Sequence, residues 1–159
     1  MYSSRNLTPI DLDVICSFPR NQEEMIFSFP RAVYPLTPDQ ILETIRNRLQ
    51  PTVVLRDNQV VAFATLYDVK EFSCYLGNVI VSPGYRGRGA ASYLLEVMEK
   101  VAKEEFSTSR LKLICQNTNT RGLIFYKKHG YSPVNLFSRQ NESGDYVVGI
   151  EMEKLIGSS

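Results

Sequence analysis

The feature that most constrains this chain is the segment Val79-Ile-Val-Ser-Pro-Gly-Tyr-Arg-Gly-Arg-Gly-Ala-Ala-Ser92, in which a β-branched strand runs through a glycine-rich loop into a helix. The helix, read from Ser92 to Phe106, carries Leu94, Leu95, Met98, Val101 and Ala102 on one face. Glu96 with Lys100 and Glu99 with Lys103 support it from the solvent side. Gly84, Gly87 and Gly89 let backbone N–H groups turn toward a ligand, and the positive end of the helix dipole points the same way. Arg86 and Arg88 add charge at the rim. The segment reads as an anion cradle, and the ligand it predicts is a phosphate or pyrophosphate.

The rest of the chain builds around it. Thr8-Pro9 and Thr37-Pro38 each set a hydroxyl N-cap before a proline at the first helical position. At the second, Gln40 is placed to complete a capping box, and Ile41, Leu42, Ile45 and Leu49 form an apolar stripe. The aromatic and proline-rich run FSFPRAVYPL between them reads as an ordered loop. Thr52 to Arg56 and Val60 to Tyr67 form a hairpin around Asp57-Asn58, and a third strand runs from Phe72 to Val81. After the long helix come a short strand, Leu111 to Cys115, and a short helix, Gly122 to Lys128, closed by Gly130. Strands at Tyr131 to Ser138 and Tyr146 to Glu153 end the chain around a polar loop. The order β-α-α-β-β-β-α-β-α-β-β is that of a mixed α/β fold.

Which phosphate ligand fits is decided at the loop. A nucleotide-hydrolysing P-loop needs Lys and Ser or Thr directly after its last glycine, where this chain has Ala90 and Ala91. A dinucleotide fingerprint starting at Gly87 finds Ser92 at its third glycine, and the following strand ends in Cys115-Gln116 without an acid for a ribose. The pattern that is met is Arg/Gln-x-x-Gly-x-Gly/Ala, as Arg86-Gly87-Arg88-Gly89-Ala90-Ala91. A second block follows, Asn119-Thr-Arg-Gly-Leu-Ile-Phe-Tyr126 and then Lys127-Lys-His-Gly-Tyr131. Together these resemble the GNAT superfamily of N-acetyltransferases over roughly residues 50 to 155. Gly122 stands where that family usually has alanine, which weakens the helix by up to about 1 kcal/mol.

The resemblance implies a mostly antiparallel twisted sheet with helices on both faces, and acetyl-CoA as the acyl-donor cosubstrate. It implies that the main chain of Val79, Ile80 and Val81 pairs with the pantetheine arm, and that amides of Arg86, Gly87, Arg88, Gly89, Ala90, Ala91 and Ser92 hold the pyrophosphate. Asn119 would bond the pantetheine or phosphate region, and Tyr126 would protonate the departing thiolate. A phenol with a pKa of about 10 suits a leaving group of similar basicity. A backbone N–H of the Val79 to Val81 strand would polarise the carbonyl while the amine attacks directly in a ternary complex.

A general base is missing from the expected place, since Gly77 and Asn78 stand where many relatives carry a glutamate. At pH 7 an alkyl amine is neutral in only about one molecule in 2,500. Deprotonation then falls to waters, to a carboxylate from elsewhere, with Glu24, Asp68 and Glu71 as candidates, or to an acceptor of already low pKa. The acceptor is expected against the stretch from Glu23 to Tyr34, with Glu24, Phe27, Phe29 and Tyr34 as contacts, because aromatic surface beside carboxylates suits an amine with an apolar body. The alternative place is along Asp68 to Tyr75, with Tyr75 as a contact.

Composition narrows the remaining classes. A length of 159 residues is that of one domain, 1–159, and Lys plus Arg number 18 against 17 for Asp plus Glu, a net charge of +1. Such a balance argues against nucleic acid as the partner. Cys16, Cys74 and Cys115 are scattered and His129 is the single histidine, so no metal site is expected. No apolar run reaches membrane-spanning length and no leader is recognised, so a cytoplasmic protein is expected. The expected partner is a small-molecule or peptide amine acting as acceptor, and the expected state is monomer or homodimer. The function read from the chain is acetyl-CoA-dependent N-acetylation of a primary amine, an acyltransferase activity. The alternative is a non-catalytic acyl-CoA-binding sensor module, and a weaker third reading is a dinucleotide-dependent oxidoreductase.

Overall fold

The computed structural model describes residues 1–141 and 143–157. Its seven strands are β1 (Tyr2–Asn6), β2 (Leu49–Arg56), β3 (Gln59–Lys70), β4 (Ser73–Val81), β5 (Arg110–Gln116), β6 (Ser132–Gln140) and β7 (Tyr146–Leu155). The helices are α1 (Leu12–Cys16), α2 (Gln22–Ser28), α3 (Pro38–Ile45), α4 (Ala90–Phe106) and α5 (Thr120–Lys128). The strands form one sheet in the order β1-β2-β3-β4-β5-β7-β6, antiparallel except for β4 and β5. This is the mixed, mostly antiparallel architecture expected from the sequence.

The hairpin between β2 and β3 turns on Asp57 and Asn58, both at positive φ (52° and 63°), which suits the tight two-residue connection. One face of the sheet buries Leu94, Leu95, Met98 and Ala102 of α4 against Ala62, Ala64, Leu66, Leu113 and Met152. Each such buried leucine or methionine contributes about 1.5–3 kcal/mol. The other face packs Ile15, Met25, Phe29 and Ile41 on Val53, Phe63 and Ile80. Helices therefore cover both faces.

The first third of the chain departs from expectation. The stretch read as loop from Glu23 begins as α2, because Asn21 caps it by accepting the Glu24 N–H (2.9 Å) and Met25 supplies a buried contact. Phe29 is buried and stacks on Phe63 at 6.4 Å, so its ring belongs to the core and not to an acceptor pocket. At α3 Thr37 accepts the Gln40 N–H, but the Gln40 side chain turns away to bind Val33 and Pro35, so the capping box is only half made. Gln40 spends its amide tying down the preceding turn instead.

Two irregularities position the site. Between the pairs Phe63↔Ile80 and Thr65↔Gly77, two steps along β3 face three along β4, a β-bulge centred on Asn78. Asn78 takes φ 58°, a conformation asparagine tolerates better than most residues. Both ends of its amide are engaged: Oδ1 accepts from Thr65 Oγ1 (2.7 Å) and Nδ2 donates to Ser28 O (2.8 Å). The second irregularity is that β4 and β5 pair only from Ser73↔Arg110 to Tyr75↔Lys112 and then separate. A wedge opens in the middle of the sheet.

Candidate active site

The wedge continues into a cleft of about 270 Å³ on the sheet, bordered by α2, the glycine loop and α5. Val79, Ile80, Val81, Arg86, Gly87, Ala91, Asn119 and Tyr126 line it, residues drawn from both motif blocks that are about 30 positions apart. Phe27 and Glu24 reach it from α2, and Gly122, Arg121 and Phe125 from α5. A narrower opening, along Gly77, Asn78, Leu113, Ile114 and Cys115, joins Phe27, Asn119 and Tyr126 from the wedge itself.

The glycine loop has the geometry its composition calls for. Gly87 and Gly89 stand at φ 73° and 88°, and a Cβ on Gly87 would meet nothing within 4 Å. Gly89 is the N-cap of α4 and so offers no side chain to the first helical amides. Those amides, the dipole and the open space beside Gly87 fit a pyrophosphate. The other loop residues do different work. The Arg88 carbonyl accepts the Tyr2 hydroxyl (2.7 Å), Ala90 is buried in the core, and Ser92 Oγ meets His129 Nε2 at 3.1 Å, joining α4 to α5.

Arg86 is not a solvated rim charge. Its guanidinium binds both oxygens of Glu24 (3.1 and 3.2 Å) and reaches Val81 O, and Glu24 also holds Arg20 at 2.8 Å. Burial pushes the Glu24 carboxyl up, but hydrogen bonds from Arg20 and Arg86 outweigh it and hold the pKa at about 2. Glu24 is thereby a clasp between α2 and the glycine loop, with two cations already on it. Tyr34 lies apart from the cleft, with its hydroxyl on Arg20 O, and Tyr75 lies on the face of β4 away from α4. Of the four contacts expected from Glu23 to Tyr34, only Glu24 and Phe27 reach the cleft.

Beyond Tyr75 the edge of β4 has no strand partner on the β5 side. Two of its carbonyls are met by side chains: Ser28 Oγ donates to Val79 O (2.7 Å) and Arg86 Nε to Val81 O (3.3 Å). Each keeps a second lone pair for another donor. Ser28 and α2 gave no sequence pattern of catalysis, although Asn21 with Glu23 and Glu24 is an N-cap and acidic first turn that marks the helix.

On α5, Asn119 is the N-cap and accepts the Gly122 N–H at 3.0 Å, which starts the helix at Thr120, two residues earlier than the sequence placed it. An alanine Cβ at position 122 would come within 2.5 Å of the Asn119 amide nitrogen, so glycine here gives that side chain its room. Gly130 (φ 95°) ends the helix and the Tyr131 N–H returns to Tyr126 O. Tyr126 is 9% exposed, packed edge-on to Phe125 and Tyr131. Its hydroxyl makes no hydrogen bond among the described residues, and burial raises its pKa above the ordinary phenol value, so it stays protonated at neutral pH. Cys115 is raised to about 11 by burial, and Cys74, also buried, is raised by desolvation, so neither is poised as a nucleophile.

No group of three or more His, Cys, Asp or Glu among the described residues is arranged to hold a metal ion, and no helix is long and apolar enough to cross a membrane. Comparison with known proteins adds the family. Ard1 from Thermoplasma volcanium superimposes with a TM-score of 0.79 at 16% identity, covering 99% of both chains. The ribosomal-protein-S18-alanine N-acetyltransferase from Escherichia coli does so at 0.72 and 18%, covering 100% of this chain and 96% of that one. A GNAT family acetyltransferase from Elizabethkingia anophelis, solved with acetyl-CoA bound, scores 0.69 at 13% identity over 97% of both. A search of curated proteins finds no match. At these identities the likeness is one of fold, but the model of the Acetyltransferase (GNAT) family matches residues 18–131, most of the sequence. The chain belongs to the GNAT family of acetyltransferases, and so to the N-acetyltransferases among the acyltransferases.

Proposed function

We propose that the protein transfers the acetyl group of acetyl-CoA to a primary amine by direct attack in a ternary complex. The observation that carries this reading is the wedge between β4 and β5, which has a glycine-capped helix start at one end and a protonated tyrosine beside it. Amides from Arg86 to Ser92 receive the pyrophosphate, and the free edge at Val79 to Val81 accepts the pantetheine amides as a further strand would. Asn119, whose Oδ1 is committed to Gly122, has its Nδ2 left to donate.

The chemistry asked of the chain is modest. Holding amine and thioester together lowers the barrier through orientation. A main-chain N–H of β4 favours the charge that develops on the carbonyl oxygen. As the free amine's N–C bond forms and the C–S bond breaks, nitrogen loses a proton to solvent and the Tyr126 hydroxyl gives one to the leaving sulfur and regains one from solvent; its raised pKa keeps the phenol protonated across the neutral range.

The test is release of free CoA thiol from acetyl-CoA with a panel of primary amines. Amine-dependent release supports transfer. Tight acetyl-CoA binding with no release for any amine would mark the chain instead as an acyl-CoA-binding sensor.

A further inference from the structure

Among the described residues two charged side chains are buried, Asp11 and Glu151. Asp11 is matched by the Arg5 guanidinium at 2.7 Å. Glu151, 7% exposed, receives only the Tyr75 hydroxyl, which donates to Oε1 at 2.6 Å. No lysine, arginine or histidine among the described residues forms an ion pair with it, and Oε2 accepts no hydrogen bond there. Its neighbour on the same face, Glu153, is paired with Arg110. Oε2 is not sealed from solvent, so a carboxylate that is mostly buried and served by one neutral donor is open to a cation brought from outside.

Its position gives that cation a purpose. Leu113 and Cys115 of β5 pack into the core with α4, so Ile114 between them faces the opposite way, and Glu151 is its register partner on β7. Ile114 and Gly77 line the narrow opening that also reaches Tyr126 and Asn119. Tyr75 belongs to the last β4–β5 pair before the strands part. Tyr75 and Glu151 therefore stand at the apex of the wedge, on the face away from α4.

The surroundings select the rest of the ligand. Tyr67 stacks on Tyr75 at 5.1 Å, Arg48 lies 3.7 Å over Tyr67, and the Lys112 ammonium lies 5.8 Å from the Tyr75 ring. With a cation against each outer ring face, a further ammonium is directed to the Glu151 edge of the stack. Beside it Ile114 and Phe137 are half-exposed and apolar. Gly149, paired with Phe137, would bring a Cβ within 2.9 Å of Ile114 Cγ2, so glycine allows Ile114 to lie flat there.

The geometry points to an acceptor-binding site in which the substrate's ammonium group docks on Glu151 beside Tyr75 and its alkyl or arylalkyl body lies along Ile114 and Phe137. This rests on the acetyl-transfer reading, and it moves the acceptor from α2 to the other side of the wedge. Glu24 is already paired with two arginines, whereas Glu151 has no ion-pair partner among the described residues.

The experiment uses 2-phenylethylamine as probe, 2-phenylethanol as its uncharged control, and the variant Glu151→Gln, which keeps the shape and the bond from Tyr75. Binding to the CoA-loaded protein is followed by NMR titration, and turnover by release of CoA thiol. Acetyl-CoA affinity in the variant should stay within about twofold of wild type, which also reports an intact fold. The amine should bind about tenfold or more weakly, with the loss in KM rather than kcat, while the alcohol binds both proteins alike. Equal amine affinity in the two proteins, or no amine binding to wild type, overturns the site. Glu151-dependent amine binding without any CoA release would keep the site and remove the transferase reading.

Discussion

Replacing Glu24 with glutamine isolates the clasp between α2 and the glycine loop. The native carboxylate takes hydrogen bonds from Arg20 and from both Arg86 terminal nitrogens, and these hold its pKa at about 2 against an ordinary 4.5. At about 1.36 kcal/mol for each tenfold change in acidity, that difference corresponds to about 3 kcal/mol of preference for the charged form in the folded state. The Glu24 side chain is 20% exposed and Arg20 57%, so solvent screening brings the stability at stake to about 1–2 kcal/mol. The group is depressed on folding. Its contribution is therefore complete above pH 4.5 and is lost as the pH falls from there toward 2. Urea unfolding at pH 7 should show Glu24→Gln less stable by about 1–2 kcal/mol, with the two proteins converging as the pH is lowered through that window. A variant within about 0.3 kcal/mol of wild type at pH 7, or a gap that persists unchanged at pH 2.5, would refute the clasp.

Gly89→Glu puts a side chain and a negative charge at the N-cap of α4, where φ is 88°, and should abolish acetyl-CoA binding in calorimetry; Arg88→Ala should weaken it far less, because that guanidinium lies 5.7 Å from the Tyr85 ring. Tyr126→Phe keeps the edge-on packing with Phe125 and Tyr131 and should lower kcat about 100-fold or more with acetyl-CoA affinity little changed; equal turnover would return Tyr126 to a packing role. Asn78→Ala removes both the acceptor for Thr65 and the donor for Ser28 at a position of positive φ, and should cost about 2–4 kcal/mol in urea unfolding; a loss below about 1 kcal/mol would mean the bulge does not depend on them.

The parts of this protein that are local in the chain were legible in the chain. The apolar face of α4, the turn at Asp57-Asn58, the stop at Gly130 and the positive-φ glycines 87 and 89 each depend on residues a few positions apart, where spacing and backbone sterics decide the outcome. For the same reason both motif blocks, and the family with them, are legible in the sequence. Helix α2 was equally local, with Asn21 as its cap, but the aromatic and proline-rich run behind it obscured the signal. What only the tertiary structure decided is which distant groups neutralise one another. Glu24 meets Arg86 across 62 positions, Tyr75 meets Glu151 across 76, and Asn78 joins Ser28 and Thr65 across 50 and 13. No periodicity encodes such partners, because they follow from how β4 and β5 part and where α2 lands on the sheet. Those two placements clasped Glu24 between two arginines at the edge of the cleft, buried Phe29 against Phe63, and left Glu151 with no ion-pair partner among the described residues.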